Sequence, residues 1–266
     1  MLLGGLVFTC LFAIGTAFAT GSSIVAHRAH YEMSLGERVQ NSPIVNVNGK
    51  SAFVMERDCR GWRSIEDYAL EFVGETGANE RVLSHFESWE ADSGDKYSFD
   101  VTENSTFIGQ KVFGGFAQLS TDGAGTASFS IEPDAEIALP EGVYFPVKHL
   151  KNILAMADNG ETIVAASIFT GAEPDNALMN TNTVVGKWQD EIASGNIADN
   201  NLSEDGYWPV RIAYFRPSSK TAEPEYEINF SMQRNGVVRG YEIDYGDFSI
   251  LANLTKLEDV GAPICS

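Results

Sequence analysis

YEINFSMQRNGVVRGYEIDYGDFSILANLT, residues 226–255, decides the class of fold. Tyr226, Ile228, Phe230 and Met232 share one side of an alternating run. Asn235-Gly236 follows, a dipeptide suited to the tightest hairpin turns because both positions tolerate positive φ. Phe248, Ile250, Ala252 and Leu254 then repeat the alternation. A period of two marks a half-buried strand, so the stretch reads as antiparallel strands joined by short turns.

The same pattern fills most of the chain. In HRAHYEMSL, His27, Ala29, Tyr31, Met33 and Leu35 fall on one face, and Arg28, His30, Glu32 and Ser34 on the other. IVNVNGKSAFVME, residues 44–56, places Asn48-Gly49 between two alternating runs and predicts a further hairpin. Tyr97, Phe99 and Val101 face together in KYSFDVTEN, and strand-like runs resume from Ile163 in TIVAASIFT, TNTVVGKW and WPVRIAYFRP. The exception is FPVKHLKNILAMADNGE, residues 145–161. Val147, Leu150, Leu154 and Ala157 form a helical stripe, Pro146 suits a helix start and Asn159-Gly160 a stop. A surface helix packed on a sheet is the simpler expectation, and a plug or lid the alternative. Asp190–Asp205, rich in acidic residues and asparagine, reads as a long exposed loop.

The expected fold is therefore mainly β: a long antiparallel meander curled into an open barrel or spiral, with one mid-chain helix. Curling, or packing as two sheets, manages the edges of so many strands. In a curled meander the first and last strands approach each other.

Residues 1–19, MLLGGLVFTCLFAIGTAFA, have the layout of a secretory signal peptide, with cleavage expected after Ala19. No Lys or Arg precedes the apolar run, and a retained anchor is the alternative. Residues 20–266 are then one curled β domain, exported and not an integral membrane protein after cleavage. With Cys10 removed, Cys59 and Cys265 remain. Two cysteines in an oxidising compartment most simply form one disulfide, the alternative being two free buried thiols. A bond would require their Cα atoms to lie within about 7 Å.

The chain carries 37 Asp and Glu against 18 Lys and Arg, a net charge of −19 with no basic block, which argues against nucleic acid and anionic membranes as partners. His27 and His30 point to opposite faces of a strand and cannot easily share a metal, although His85 could join one of them through space. Asp244 and Asp247 could converge across the Gly246 turn as an acid/base pair, but carboxylates beside a turn more often cap it. GGFAQLSTDGAGT lacks the ending of a phosphate loop. The expectation is no enzyme, with no catalytic, metal or cofactor site.

Several of these segments, in order, resemble one family. HRAHYEMSL opens the mature chain, DCRGW carries the first cysteine and FPVKHLKNILAMADNGE the helix. YWPVRIAYF supplies a Trp-Pro strand, and YEIDYGDFSILANLTKLE with APICS closes the chain. Together they resemble the EipB family of periplasmic cell-envelope integrity proteins. The resemblance implies a long antiparallel sheet curled into an open spiral-like barrel and a disulfide between Cys59 and Cys265. It also implies a periplasmic location, a role in envelope support and no catalytic residues. The expected function is binding or scaffolding an envelope partner; the alternative is a carrier holding a lipid or acyl chain in the curled sheet.

Overall fold

The computed structural model describes residues 23–130, 136–190, 202–203, 206–261, 263 and 265. The leader at 1–19 and most of the acidic stretch at 190–205 lie outside them. Eight strands come first: β1 (His27–Arg38), β2 (Ile44–Arg57), β3 (Gly61–Gly74), β4 (Asn79–Ala91), β5 (Lys96–Ser105), β6 (Gly109–Leu119), β7 (Gly125–Phe129) and β8 (Glu136–Leu139). Helix α1 (Pro146–Asp158) follows, and then β9 (Ile163–Phe169), β10 (Leu178–Val185) and β11 (Trp208–Phe215). The last three strands are β12 (Tyr226–Met232), β13 (Val238–Asp244) and β14 (Phe248–Asp259). All fourteen join one antiparallel sheet, curled into a nearly closed barrel, in the order β8-β7-β6-β5-β4-β3-β2-β1-β14-β13-β12-β11-β10-β9.

The first and last strands do more than approach each other. β1 and β14 form a ladder from His27↔Asp259 to Arg38↔Phe248, with Thr255 bulged out between Leu254 and Lys256 and a second irregularity between Leu35 and Arg38. The free edges are instead the mid-chain strands β8 and β9. The segment before α1 covers one of them: the Tyr144 N–H donates to Ser167 O at 2.8 Å, and Tyr144 O accepts from the Phe169 N–H at 2.9 Å.

The predicted Asn48-Gly49 turn is corrected. β2 runs straight through it, pairing Gly49 with Met33 on one side and Leu70 on the other. A Cβ on Gly49 would lie 2.4 Å from the Ala69 carbonyl oxygen, so this glycine answers to the close backbone of β3 and not to a turn. The chain reverses between Arg38 and Ile44, where the Ser42 N–H donates to Val39 O. Asn235-Gly236 does turn the chain, with Gly236 at φ 80°.

Helix α1 is not laid on the outside. Val147, His149, Ile153, Leu154, Met156 and Ala157 are all buried, leaving one exposed stripe of Lys148, Lys151, Ala155 and Asp158. The helix packs with Trp62, Met55, Trp208 and Met232 and plugs one end of the curl. At that end the β2–β3 turn and the segment after β14 flank the start of β1. Cys59 and Cys265 meet there, with Cα atoms 5.5 Å apart and sulfurs 2.09 Å apart.

Candidate ligand-binding cavity

Alternation sends every second side chain of each strand inward. Strands β3–β6 and β11–β14 contribute such rows to a common interior, which encloses a cavity of about 680 Å3. Its floor is α1, through His149, Leu150 and Ile153. Its apolar wall includes Ile212, Ile228, Phe230 and Ile243. Ile108 and Tyr245, 79% and 46% exposed, line it at the end opposite the helix and mark its mouth. Glu80, Glu103, Lys111 and Glu173 surround this mouth, with Lys111 paired to Glu173 at 3.2 Å.

Polar groups are set deeper. Glu66, at the middle of β3, shares its inward face with Ser64, Tyr68, Leu70 and Phe72. Tyr68 donates its hydroxyl proton to Glu66 at 2.9 Å. Burial pushes the Glu66 carboxyl above the usual carboxylate range, and the Tyr68 bond pulls it partly back. Tyr214 and Tyr226 stack at 4.6 Å on the facing wall. On the floor, burial pulls the His149 imidazole down to about 4, so it is neutral at pH 7, and its Nε2 has no hydrogen-bond partner among the described residues.

The plug is anchored by a carboxylate from the sheet. Glu90, 3% exposed near the end of β4, accepts the Val147 N–H at 2.7 Å and the Lys148 N–H at 2.8 Å. These are donors that the first turn of a helix leaves without internal partners. Burial pushes the Glu90 carboxyl up to about 7, against the two N–H donors and the charges of Lys151 and Lys148. An acid with a raised folded value keeps its proton to higher pH when folded than when unfolded. The associated stability is present below about pH 4.5 and is lost as pH rises through about 7. Urea midpoints of the wild type should therefore fall between pH 5 and pH 8, by no more than about 3 kcal/mol in stability. Glu90→Gln should remove that part of the slope; an unchanged slope would assign it to other groups.

The other singled-out residues do not assemble into chemistry. His27 is 1% exposed and hydrogen-bonds through Nδ1 to Val25 O. His30 and His85 share the outer face, but β2 and β3 lie between them, a separation of about 14 Å at the usual strand spacing. His30 pairs with Glu258 and His85 with Asp67. Among the described residues no group of three or more His, Cys, Asp or Glu is placed to hold a metal. Asp244 accepts the Gly246 N–H and caps its turn. Glu66, Glu90 and His149 stand in no motif that singles them out in the sequence. The parity Glu66 shares with Tyr68, Leu70 and Phe72 was the available signal for the first.

No helix among the described residues is long and apolar enough to cross a membrane. The outward face of β1–β4 carries Arg28, Glu32, Lys50, Asp67 and His85, charges that a lipid-facing strand surface excludes. The chain thus falls in the class of curled antiparallel barrels that enclose an interior cavity, with charged residues on the outside of β1–β4. Residues 18–260 match the EipB-like family, and the chain belongs to it. It is 27% identical over 252 residues to the cell envelope integrity protein EipB of Brucella abortus (strain 2308), covering 93% of this chain and 88% of the other. It also superposes on the crystal structure of a beta-barrel-like protein of a domain of unknown function from Brucella abortus. That match has a TM-score of 0.81 and 26% identity, covering 91% of this chain and all of the other.

Proposed function

We propose that this protein supports cell-envelope integrity as a non-enzymatic, exported binder that holds a lipid or other apolar chain in its curled sheet. The observation that carries the reading is the interior cavity. Its volume of about 680 Å3 falls within the roughly 300–1,000 Å3 of ligand pockets. Apolar side chains from opposite halves of one sheet converge on it. The name of the Brucella relative supports the envelope role. The setting is the periplasm, after removal of residues 1–19, with residues 20–266 working as one domain. Scaffolding of an envelope protein by the outer surface is the competing use of the same fold.

Native mass spectrometry of protein purified from envelope extracts tests the reading, with a lipid-sized adduct as the expected result. Ile228→Asn combined with Ile243→Asn wets the apolar wall. This variant should lose the adduct and fail to restore detergent resistance to a strain lacking the protein, while keeping the wild-type circular dichroism spectrum. Full restoration by the folded variant would shift the function to the outer surface.

A further inference from the structure

We propose that the cavity is a site for an amphipathic amine, whose aliphatic chain lies along the Ile212, Ile228 and Ile243 wall and whose ammonium group is received by Glu66. The inference deepens the carrier reading and rests on it.

Glu66 is the first observation. It lines the cavity half-buried, and among the described residues it takes a hydrogen bond from the hydroxyl of Tyr68 and pairs with no cation. A carboxyl partly withdrawn from water without a counter-charge is costly, and such groups concentrate at functional sites. A plain acyl tail threaded past Glu66 would strip its remaining solvation and return nothing. A fatty carboxylate would add repulsion. An ammonium group supplies the counter-charge.

The surrounding groups favour the same ligand. Tyr68, Tyr214 and Tyr226 line the cavity with Glu66. Aromatic faces attract cations, most strongly when water is excluded. His149 is 3% exposed and lines the floor of the cavity, with its Nε2 unpartnered among the described residues. A neutral imidazole offers a hydrogen bond to a polar ligand group and no repulsion to a cation. At the mouth, Glu80 and Glu103 remain in excess once Lys111 and Glu173 have paired. This negative rim draws in cations and turns away anionic amphiphiles.

Isothermal titration calorimetry of the mature chain at pH 7 tests the site, using dodecylamine, 1-dodecanol and dodecanoate below micelle-forming concentrations. The amine should bind about tenfold more tightly than either of the others. Glu66→Gln keeps an oxygen for the Tyr68 bond. It should bring the amine down to the affinity of the alcohol and leave the alcohol unchanged. Equal or tighter binding of dodecanoate, or an amine affinity untouched by Glu66→Gln, overturns the proposal while sparing the carrier reading. Failure of all three ligands to bind overturns both. The wild-type ranking decides the matter even if the variant does not fold. Lysophosphatidylethanolamine and a short S-acylated peptide with a free amino terminus then separate a lipid source from a lipopeptide one, and binding of either supports the site.

Discussion

Cys265→Ser is expected to lower the unfolding free energy by up to roughly 5 kcal/mol, read from urea titrations under non-reducing conditions. The bond to Cys59 closes a loop with a sequence separation of 206 residues, so the unfolded chain loses much of its freedom when cross-linked. In the folded state the cysteines staple the turn after β2 to the segment after β14, across the start of β1. Cys59→Ser should cost the same, and the double variant no more than either single one, because all three delete one cross-link. Single variants that differ by several kcal/mol would show that the two residues act separately. Thiol titration of the denatured, unreduced protein checks the premise: about two free thiols per chain would refute the pairing.

Phe169→Ala is expected to cost about 3–5 kcal/mol. Phe169 is fully buried at the end of edge strand β9. Its ring meets Phe99 at 5.9 Å, Tyr97 and Phe129 at 6.2 Å, and Phe145 at 6.3 Å. Those partners lie on β5, on β7 and just before α1, so the ring packs across the break where β8 and β9 do not pair. Side chains hold that gap where backbone hydrogen bonds do not. Phe116→Ala, on the outer face of β6 at 61% exposure, is the control and should change stability by less than about 0.5 kcal/mol. Equal losses in the two variants would mean that the aromatic cluster does not close the barrel.

Much of the architecture was legible because alternation is a local signal. The inward rows of β1, β5 and β14 follow from the parity of Tyr31, Tyr97 and Ile250 alone. What failed was nonlocal. Asn48-Gly49 has the composition of a turn, and only the approach of Ala69 from β3 reveals why glycine is needed within a strand. The helix boundaries were read correctly from Pro146 and Gly160, yet its role depends on the burial of His149, Ile153 and Met156 outside the predicted stripe. The cavity was harder still, since an inward row reads the same whether it meets a filled core or a void. β3 obscured it further, with Ser64 and Glu66 inside and Asp67 and Glu71 outside, so neither face of SIEDYALEF reads as plainly apolar.

The ladder between β1 and β14 imposes an order of assembly. The β1–β14 pair apart, each strand pair joins strands that are consecutive in the chain, so it needs only a short stretch of chain to form. β1 is the first strand to emerge and must wait for the last. Until β14 arrives, Ala29, Tyr31 and Met33 lack half of their cover, and the growing sheet ends in an unpaired edge of its own. Such an edge is a template for other chains. The hazard is confined to the interval before β14 reaches β1, which predicts that a chain truncated before Phe248 aggregates even though its other strands are intact.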